Sequence, residues 1–445
     1  MSLYKPLLIL SGISGTGKTR FVREQAKNSS IEDTYKLIPV RPDWHEPSDL
    51  LGYVSRLSKN NKPKYVISEV LQFIVKAWVE IFEYSSPGVN PLHLDNIENV
   101  RPYWLCLDEM NLAPIEQYFA DYLSVLETRQ WSPRNPSERP QVVVLDDDWT
   151  YSCDPLISLQ MWNTEDPAQD GKHILDELRK DLGLNEDKFE RLWNHFKQFG
   201  ISIPFNLIVV GTVNMDDTTH GFSRKVLDRA VVMDFLEFFP TNFDTFFGGA
   251  KQFQPLTYPT MSNAQLHEEA FEVIPKDSEG NTEDNDGSNQ CIDVKKSSIE
   301  FLQMINKILI GTPFELSYRA MNELLLAVLL LKPQTEQGLY AVWDDFLMQK
   351  VLPRIEGDGQ KLLIVPEGFS LLDDSDEQNN SSNNILEEIE KCLKKRYSIE
   401  YSKDKTEQRE DFYRITGKLI PWWSPQKIKA MTYRLAKSRF TSFWT

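Results

Sequence analysis

The chain is poor in the residues that build covalent or metal-held frameworks. Its 445 residues include four cysteines, Cys106, Cys153, Cys291 and Cys392, which lie far apart and form no CxxC pair. That spacing suits reduced thiols rather than a disulfide scaffold or a zinc site. The six histidines are scattered and none falls in an HExxH or similar pattern, so no transition-metal centre is expected. Long apolar runs are missing too. No stretch approaches the roughly 20 residues of a membrane span, and the opening MSLYKPLLIL meets a glycine-rich turn too early for a signal peptide. The expectation is a cytoplasmic protein without membrane contact. Positive charge is the remaining shortage: 49 Lys and Arg stand against 66 Asp and Glu, a formal net charge of −17. Such a chain repels a nucleic-acid backbone unless its basic residues gather on one face.

Apolar content is ample, at 41% of residues, and the length suggests a large core with one or two smaller units. Strand-like runs recur at LLIL (7 to 10), KLIPV (36 to 40), YWLCLDE (103 to 109), FNLIVVGTVN (205 to 214) and AVVMDF (230 to 235). Helical periodicity falls between most of them, notably over 66–82 and 115–129. Near-continuous apolar strands alternating with helices predict a parallel sheet covered on both faces. The segment between Gly52 and Tyr65 carries the turn signal NNKP and predicts a small hairpin. An excursion over about 130–203 reads as an insertion with strand, turn and two short amphipathic helices. The stretches KDSEGNTEDNDGSN (276 to 289) and DDSDEQNNSSNN (373 to 384) are polar and acidic with little to bury, as expected of loops or linkers. The domain reading is an α/β core over 1–245, an acidic, partly disordered linker over 246–294 and a helical region over 295–445.

Residues 12 to 19 read Gly12-Ile13-Ser14-Gly15-Thr16-Gly17-Lys18-Thr19, a complete GxxxxGK[ST] loop between an apolar run and a helix-forming stretch. A strand feeding a glycine-rich turn and a helix N-terminus aims backbone N–H groups and a helix dipole at one point, which suits a polyphosphate. Lys18 would neutralise the β- and γ-phosphate oxygens and the Thr19 hydroxyl would hold Mg²⁺. Asp108 and Glu109 end the strand YWLCLDE, at the edge where parallel sheets bind ligands. Asp108 can hold the Mg²⁺ shell through water, and Glu109 can orient or deprotonate an attacking water. Asn214 ends FNLIVVGTVN, where an amide can position that water. Arg224, Lys225 and Arg229 sit together in FSRKVLDRA, and Arg319 begins a later helix in ELSYRAMNELL. Arginine suits the charge that builds on a transferring phosphoryl group, and a neighbouring subunit can supply it. A solvated basic face would explain the same residues.

The ordered set GxxxxGKT, LDEMN and GTVNMDDTTHGFSRKVLDRA, followed by a helical region with an arginine, resembles the AAA+ superfamily. More narrowly it is similar to the McrB-type branch near the MoxR and dynein-related proteins, to which RPDWHEPSDLLGY (41 to 53), LDEMNLAPIEQYFADYLSVLE (107 to 127) and QKVLPRIEG (349 to 357) also look alike. The resemblance implies a P-loop AAA+ α/β core, its parallel sheet flanked by helices, followed by a helical lid domain. It implies Lys18 and Thr19 as Walker A, Asp108 and Glu109 as Walker B and Asn214 as first sensor. Arg229 becomes a finger acting in trans, Arg224 an auxiliary trans arginine and Arg319 second-sensor-like. Implied with these are Mg²⁺, ATP or GTP as substrate, a homo-oligomeric ring, commonly hexameric, a separate McrC-like nuclease subunit, and DNA met through the assembly. After the sensor strand the chain keeps Asn214 and Asp217 but has Thr218 where the best-known family pattern has arginine, so ATP and GTP both stand. The leading expectation is the NTP-hydrolysing motor of a DNA restriction or phage-defence system. A MoxR-like chaperone that remodels proteins is the alternative, favoured mildly by the acidic balance, and a nucleotide-switched scaffold is a third reading.

Overall fold

A computed structural model describes residues 1–29, 32–57, 62–88, 91–134, 142–145, 148–162, 171–215, 221–235, 253–276, 291–364, 384–397, 408–413 and 419–444. Residues 277–289 and 373–383 of the acidic stretches, together with Asp217 and Thr218, lie outside the described residues. The chain forms two compact units: Ser2–Val231 with Pro255–Asn263, and Met1, Val232–Gln254 and Ala264–Thr445.

The first unit contributes β1 (Leu7–Ser11), β2 (Tyr35–Pro39), β3 (Tyr103–Asp108) and β4 (Leu207–Val213) to the main sheet, whose fifth strand, β5 (Val231–Asp234), begins at the last residue of that unit's main segment. The strand order is β5-β1-β4-β3-β2. β1 pairs parallel with β4, β4 with β3, and β3 with β2. Ser11 lies opposite Val213, Gly211 opposite Leu107, and Pro39 opposite Asp108, so the strands deliver their C-terminal ends to one edge. Leu7 to Leu10, Trp104 to Leu107 and Leu207 to Val210 are fully buried, as continuous apolar runs must be when both faces are covered. In β1, β3 and β4 the side chains of Ser11, Asp108 and Thr212 lie near that edge.

Helix α1 (Lys18–Asn28) follows the glycine turn and buries Phe21, Val22, Gln25 and Ala26 on one face. The helix over 66–82 is observed as Glu69–Glu83, started by Ser68, whose side chain accepts from Leu71 N. The helix expected over 115–129 is instead two pieces, Ile115–Tyr118 and Ala120–Leu126. At the break Phe119 leaves helical geometry (φ −102°, ψ 5°). There Tyr118 donates to Met110 O at 2.9 Å and Phe119 stacks on Tyr122 at 4.6 Å. Tyr118 also meets Trp44 edge-on at 5.3 Å, so a contact from a distant segment accompanies the break in the local period.

The hairpin is present, with Gly52–Ser55 antiparallel to Lys64–Ile67. The excursion contains strands Gln130–Pro133, Val143–Leu145 and Trp149–Ser152, which join Leu92–Leu94 in a second sheet, and the amphipathic helices Gly171–Asp181 and Glu190–Phe199.

Helices dominate the described part of the second unit: Val294–Leu309, Tyr318–Leu331, Glu336–Phe346, Ile385–Arg396 and Trp423–Ser438. Phe301 stacks on Trp343 at 4.5 Å in their core. Buried beside it is an ionic cluster in which Arg409 Nε lies 2.8 Å from Asp344 Oδ2 and Nη2 donates to Asp345 Oδ1. Asp344 also accepts from the N–H groups of Trp423 and Ser424, both at 3.0 Å, so a carboxylate from another helix caps the N-terminus of Trp423–Ser438. Among the described residues no helix is long and apolar enough to cross a membrane.

Candidate functional site

The polar edge of the main sheet gathers five of the residues singled out by sequence. The turn after β1 is shaped by glycines at positive φ: Gly12 at 143°, Gly15 at 83° and Gly17 at 91°. At Gly15 and Gly17 an added Cβ would meet nothing within 4 Å, so backbone conformation rather than crowding requires glycine there. Gly17 is the N-cap residue of α1, and it makes no side-chain cap hydrogen bond there. Thr16 Oγ1 donates to Ile13 O at 3.0 Å and steadies the turn, while Ser14 is exposed.

Lys18 is buried and its ammonium donates to Gly12 O at 2.7 Å, Ile13 O at 2.8 Å and Asn214 Oδ1 at 2.9 Å. Burial holds its pKa below the ordinary lysine value, opposed by the charges of Asp108 and Glu109. Thr19 Oγ1 lies 3.1 Å from Asp108 Oδ1. Asn214, one residue past β4, bridges the two halves: its Oδ1 accepts from Lys18, and its Nδ2 donates to Glu109 Oε1 at 3.1 Å. Strand order explains this position, because β4 lies between β1 and β3. The residue leaving β4 must emerge between the loop after β1 and the acids that end β3.

Two members of the cluster were not evident from sequence. Thr212, buried inside β4, donates to Asp108 Oδ1 at 2.7 Å and accepts from Glu109 N at 3.0 Å. Asn111, also buried, donates from Nδ2 to the backbone O of Asn214 at 3.0 Å. A hydroxyl within an apolar strand near its functional end is the signal that could have found Thr212. Glu109 itself has left-handed backbone geometry, φ 53° and ψ 51°, which costs a residue with a Cβ about 1 kcal/mol. Strain at such a residue turns its carboxylate away from the direction the strand would give it.

The arginines are placed differently. Arg224 opens the short helix Arg224–Leu227, and the N–H of Ser223 before it donates to Glu116 Oε1 at 2.8 Å. Arg229 Nε is 2.8 Å from Glu127 Oε1, and its Nη1 donates to Lys225 O at 2.7 Å. These contacts hold Arg229 outside the Lys18–Asn214–Glu109 cluster. Arg319 is an exposed residue in the first turn of Tyr318–Leu331, in the second unit.

Among the described residues no group of three or more His, Cys, Asp or Glu is placed to hold a metal ion. One hydroxyl and one carboxylate that could share a hard cation, Thr19 and Asp108, are within hydrogen-bond reach of each other. The site thus offers a cation and oriented N–H groups for an anion, a hydroxyl–carboxylate pair for a hard cation, and a strained carboxylate with an amide partner for a nucleophile.

A protein-family model described as a domain of unknown function (DUF8727) matches residues 278–440. That span lies within the second unit, and the cluster at the sheet edge falls outside it. Comparison with curated proteins gives no match.

Proposed function

We propose that the chain is a nucleoside triphosphatase of the AAA+ type, hydrolysing ATP or GTP as the motor subunit of a McrBC-like DNA restriction or phage-defence system with a separate nuclease subunit. The observation that carries the reading is the continuous set of contacts from Lys18 through Asn214 to Glu109, beside the Thr19–Asp108 pair. Supporting it is the order β5-β1-β4-β3-β2, which sets the middle strand's terminal amide between loop and acids. That a ligand binds at the C-terminal edge of such a sheet is the general rule for open α/β folds.

In this reading Lys18 exchanges its loop carbonyls for phosphate oxygens, and the N–H groups at the start of α1 hold the remaining charge. Thr19, and Asp108 through water, would hold the magnesium of the nucleotide, which would supply charge neutralisation at the β- and γ-phosphates. Glu109 orients and takes a proton from water, with Asn214 fixing the carboxylate. Arg229, held by Glu127, presents a guanidinium to the active site of a neighbouring copy in a ring, Arg224 assists it, and Arg319 is the second-sensor-like arginine of the helical unit.

The protein-remodelling reading is favoured by one observation, the net charge of −17, which opposes nucleic acid. Turnover of ATP and GTP measured side by side, with and without DNA, a nuclease partner and a folded client protein, tests both. DNA stimulation that needs the nuclease partner supports the restriction motor. Stimulation by the client alone supports the chaperone, and absence of turnover with either nucleotide under every condition overturns the triphosphatase.

A further inference from the structure

Glu109 keeps a backbone shape that a strand end does not supply, and the contacts that fix it come from β4. Its φ of 53° and ψ of 51° open the turn Met110–Leu112, which Leu112 N closes by donating to Glu109 O at 2.9 Å. A left-handed residue with a Cβ persists only where its surroundings over-determine it. Three consecutive residues meet that need. The N–H of Glu109 donates to Thr212 Oγ1 at 3.0 Å, and Asn111 Nδ2 donates to Asn214 O, also at 3.0 Å. Between them Met110 is completely buried against Gly211.

Gly211 is the one residue of β4 without a side chain, in a strand buried along its whole length. It is not among the glycines at positive φ, so conformation does not call for it. Space does. A Cβ at Gly211 would collide with Met110 Sδ and lie 3.2 Å from Met110 Cβ, as expected where a glycine in a strand admits a close neighbour. Because the crowding reaches the root of the methionine and not only its flexible end, relief has to come in part from the turn itself. Tyr118 also holds that turn, donating to Met110 O at 2.9 Å. Asn214 then meets the turn twice, through its carbonyl to Asn111 and through Nδ2 to Glu109 Oε1 at 3.1 Å.

We propose that Gly211 and Asn111 are positioning residues for hydrolysis: the room left at Gly211 seats Met110, Asn111 ties the turn to the Asn214 carbonyl, and together they aim the Glu109 carboxylate. The inference deepens the triphosphatase reading and rests on it. Both residues act through Glu109, so they should govern the chemical step more than nucleotide binding.

The test measures kcat, and affinity by calorimetry, for Mg-ATP and Mg-GTP with the full chain as wild type, Glu109→Gln, Asn111→Ala, Gly211→Ala, Met110→Ala and the double substitution of Gly211→Ala with Met110→Ala. Circular dichroism confirms that each variant is folded. Asn111→Ala and Gly211→Ala should each lower kcat about tenfold or more, since a displacement of about 1 Å at reacting groups is that costly. Affinity should stay within about threefold of wild type, and this split separates positioning from a general loss of structure. With Met110→Ala already in place the room is open, so adding Gly211→Ala should cost less than about threefold in kcat. Should Gly211→Ala fail to fold, Asn111→Ala, which adds no volume, decides by the same split. The inference falls while the triphosphatase stands if wild type hydrolyses, Glu109→Gln does not, and either Asn111→Ala or Gly211→Ala keeps wild-type kcat or loses as much affinity as kcat. It falls likewise if Gly211→Ala costs the same with and without Met110→Ala. Wild type that hydrolyses neither nucleotide overturns both.

Discussion

Thr212→Val tests whether the acids at the sheet edge are held by the strand beside them. Thr212 is 2% exposed, and its hydroxyl makes two contacts, donating to Asp108 Oδ1 at 2.7 Å and accepting from Glu109 N at 3.0 Å. Valine keeps the shape and removes both. The hydrogen bond to the partly exposed Asp108 carboxylate, which keeps Thr19 as a partner, is worth about 1 kcal/mol, and the orphaned N–H of Glu109 costs about 1–2 kcal/mol more. The expected loss in chemical denaturation is therefore about 2–3 kcal/mol. Turnover should fall about tenfold or more, since a displacement of even 1 Å at reacting groups is costly, while nucleotide affinity moves less than about threefold. Thr212→Ser keeps the hydroxyl and loses one methyl, about 1 kcal/mol, so it should restore turnover without fully restoring stability. The reasoning is refuted if Thr212→Val is as stable and active as wild type, or if serine is as damaging as valine.

Other consequences follow from the same residues. Glu109→Gly removes a side chain from left-handed backbone, so stability should be unchanged or rise by up to about 1 kcal/mol while turnover is lost; a stability loss above that size in denaturation would contradict the strain. His195 is buried against Trp78 and Phe199, and burial, with a smaller contribution from Arg191, lowers its pKa to about 3. A depressed value means its contribution is present above the unfolded pKa of about 6.5 and is lost as pH falls toward 3. Melting His195→Phe between these limits should give a shallower acid decline than wild type, and an identical decline would disprove the assignment. Asp345 behaves oppositely: burial, reinforced by Asp344 and Asp411 and opposed by Arg409, raises its pKa to about 7. Its contribution is present below about pH 4 and is lost as pH climbs through about 7. Asp345→Asn mimics the neutral acid, so its stability should be flatter across that window and equal or exceed wild type at pH 8; marked destabilisation there would show that the ionised pair with Arg409 is needed.

What could be read from sequence was what is local. The loop from Gly12 to Thr19 is contiguous, and its chemistry depends on backbone turns that glycine spacing encodes directly. Asp108 and Asn214 are strand-terminal residues, so recognising the apolar runs before them was enough to place both at one edge. The hairpin over 52–67 was legible for the same reason, a turn signal between alternating residues. The contacts that tie distant segments were not. Thr212 looks like any β-branched strand residue until Asp108 is beside it, 104 positions away in sequence. Arg229 announces a cation but not its pairing with Glu127. The break at Phe119 follows Tyr118, which meets Met110 and the distant Trp44, contacts that periodicity cannot foresee. Arg409 lies 64 positions from Asp345, and nothing near either residue advertises a buried cluster.

The central claim is that Lys18 and its neighbours hold a nucleoside triphosphate that Glu109 helps to hydrolyse. Calorimetric titration of Mg-ATP and Mg-GTP into wild type, Lys18→Ala and Glu109→Gln, with turnover measured on the same samples, tests it most directly. Wild type should bind and hydrolyse at least one of the two, Lys18→Ala should bind about tenfold or more weakly, and Glu109→Gln should bind like wild type with turnover reduced about a hundredfold. Wild type that retains neither nucleotide, or Lys18→Ala that binds like wild type, would contradict the account.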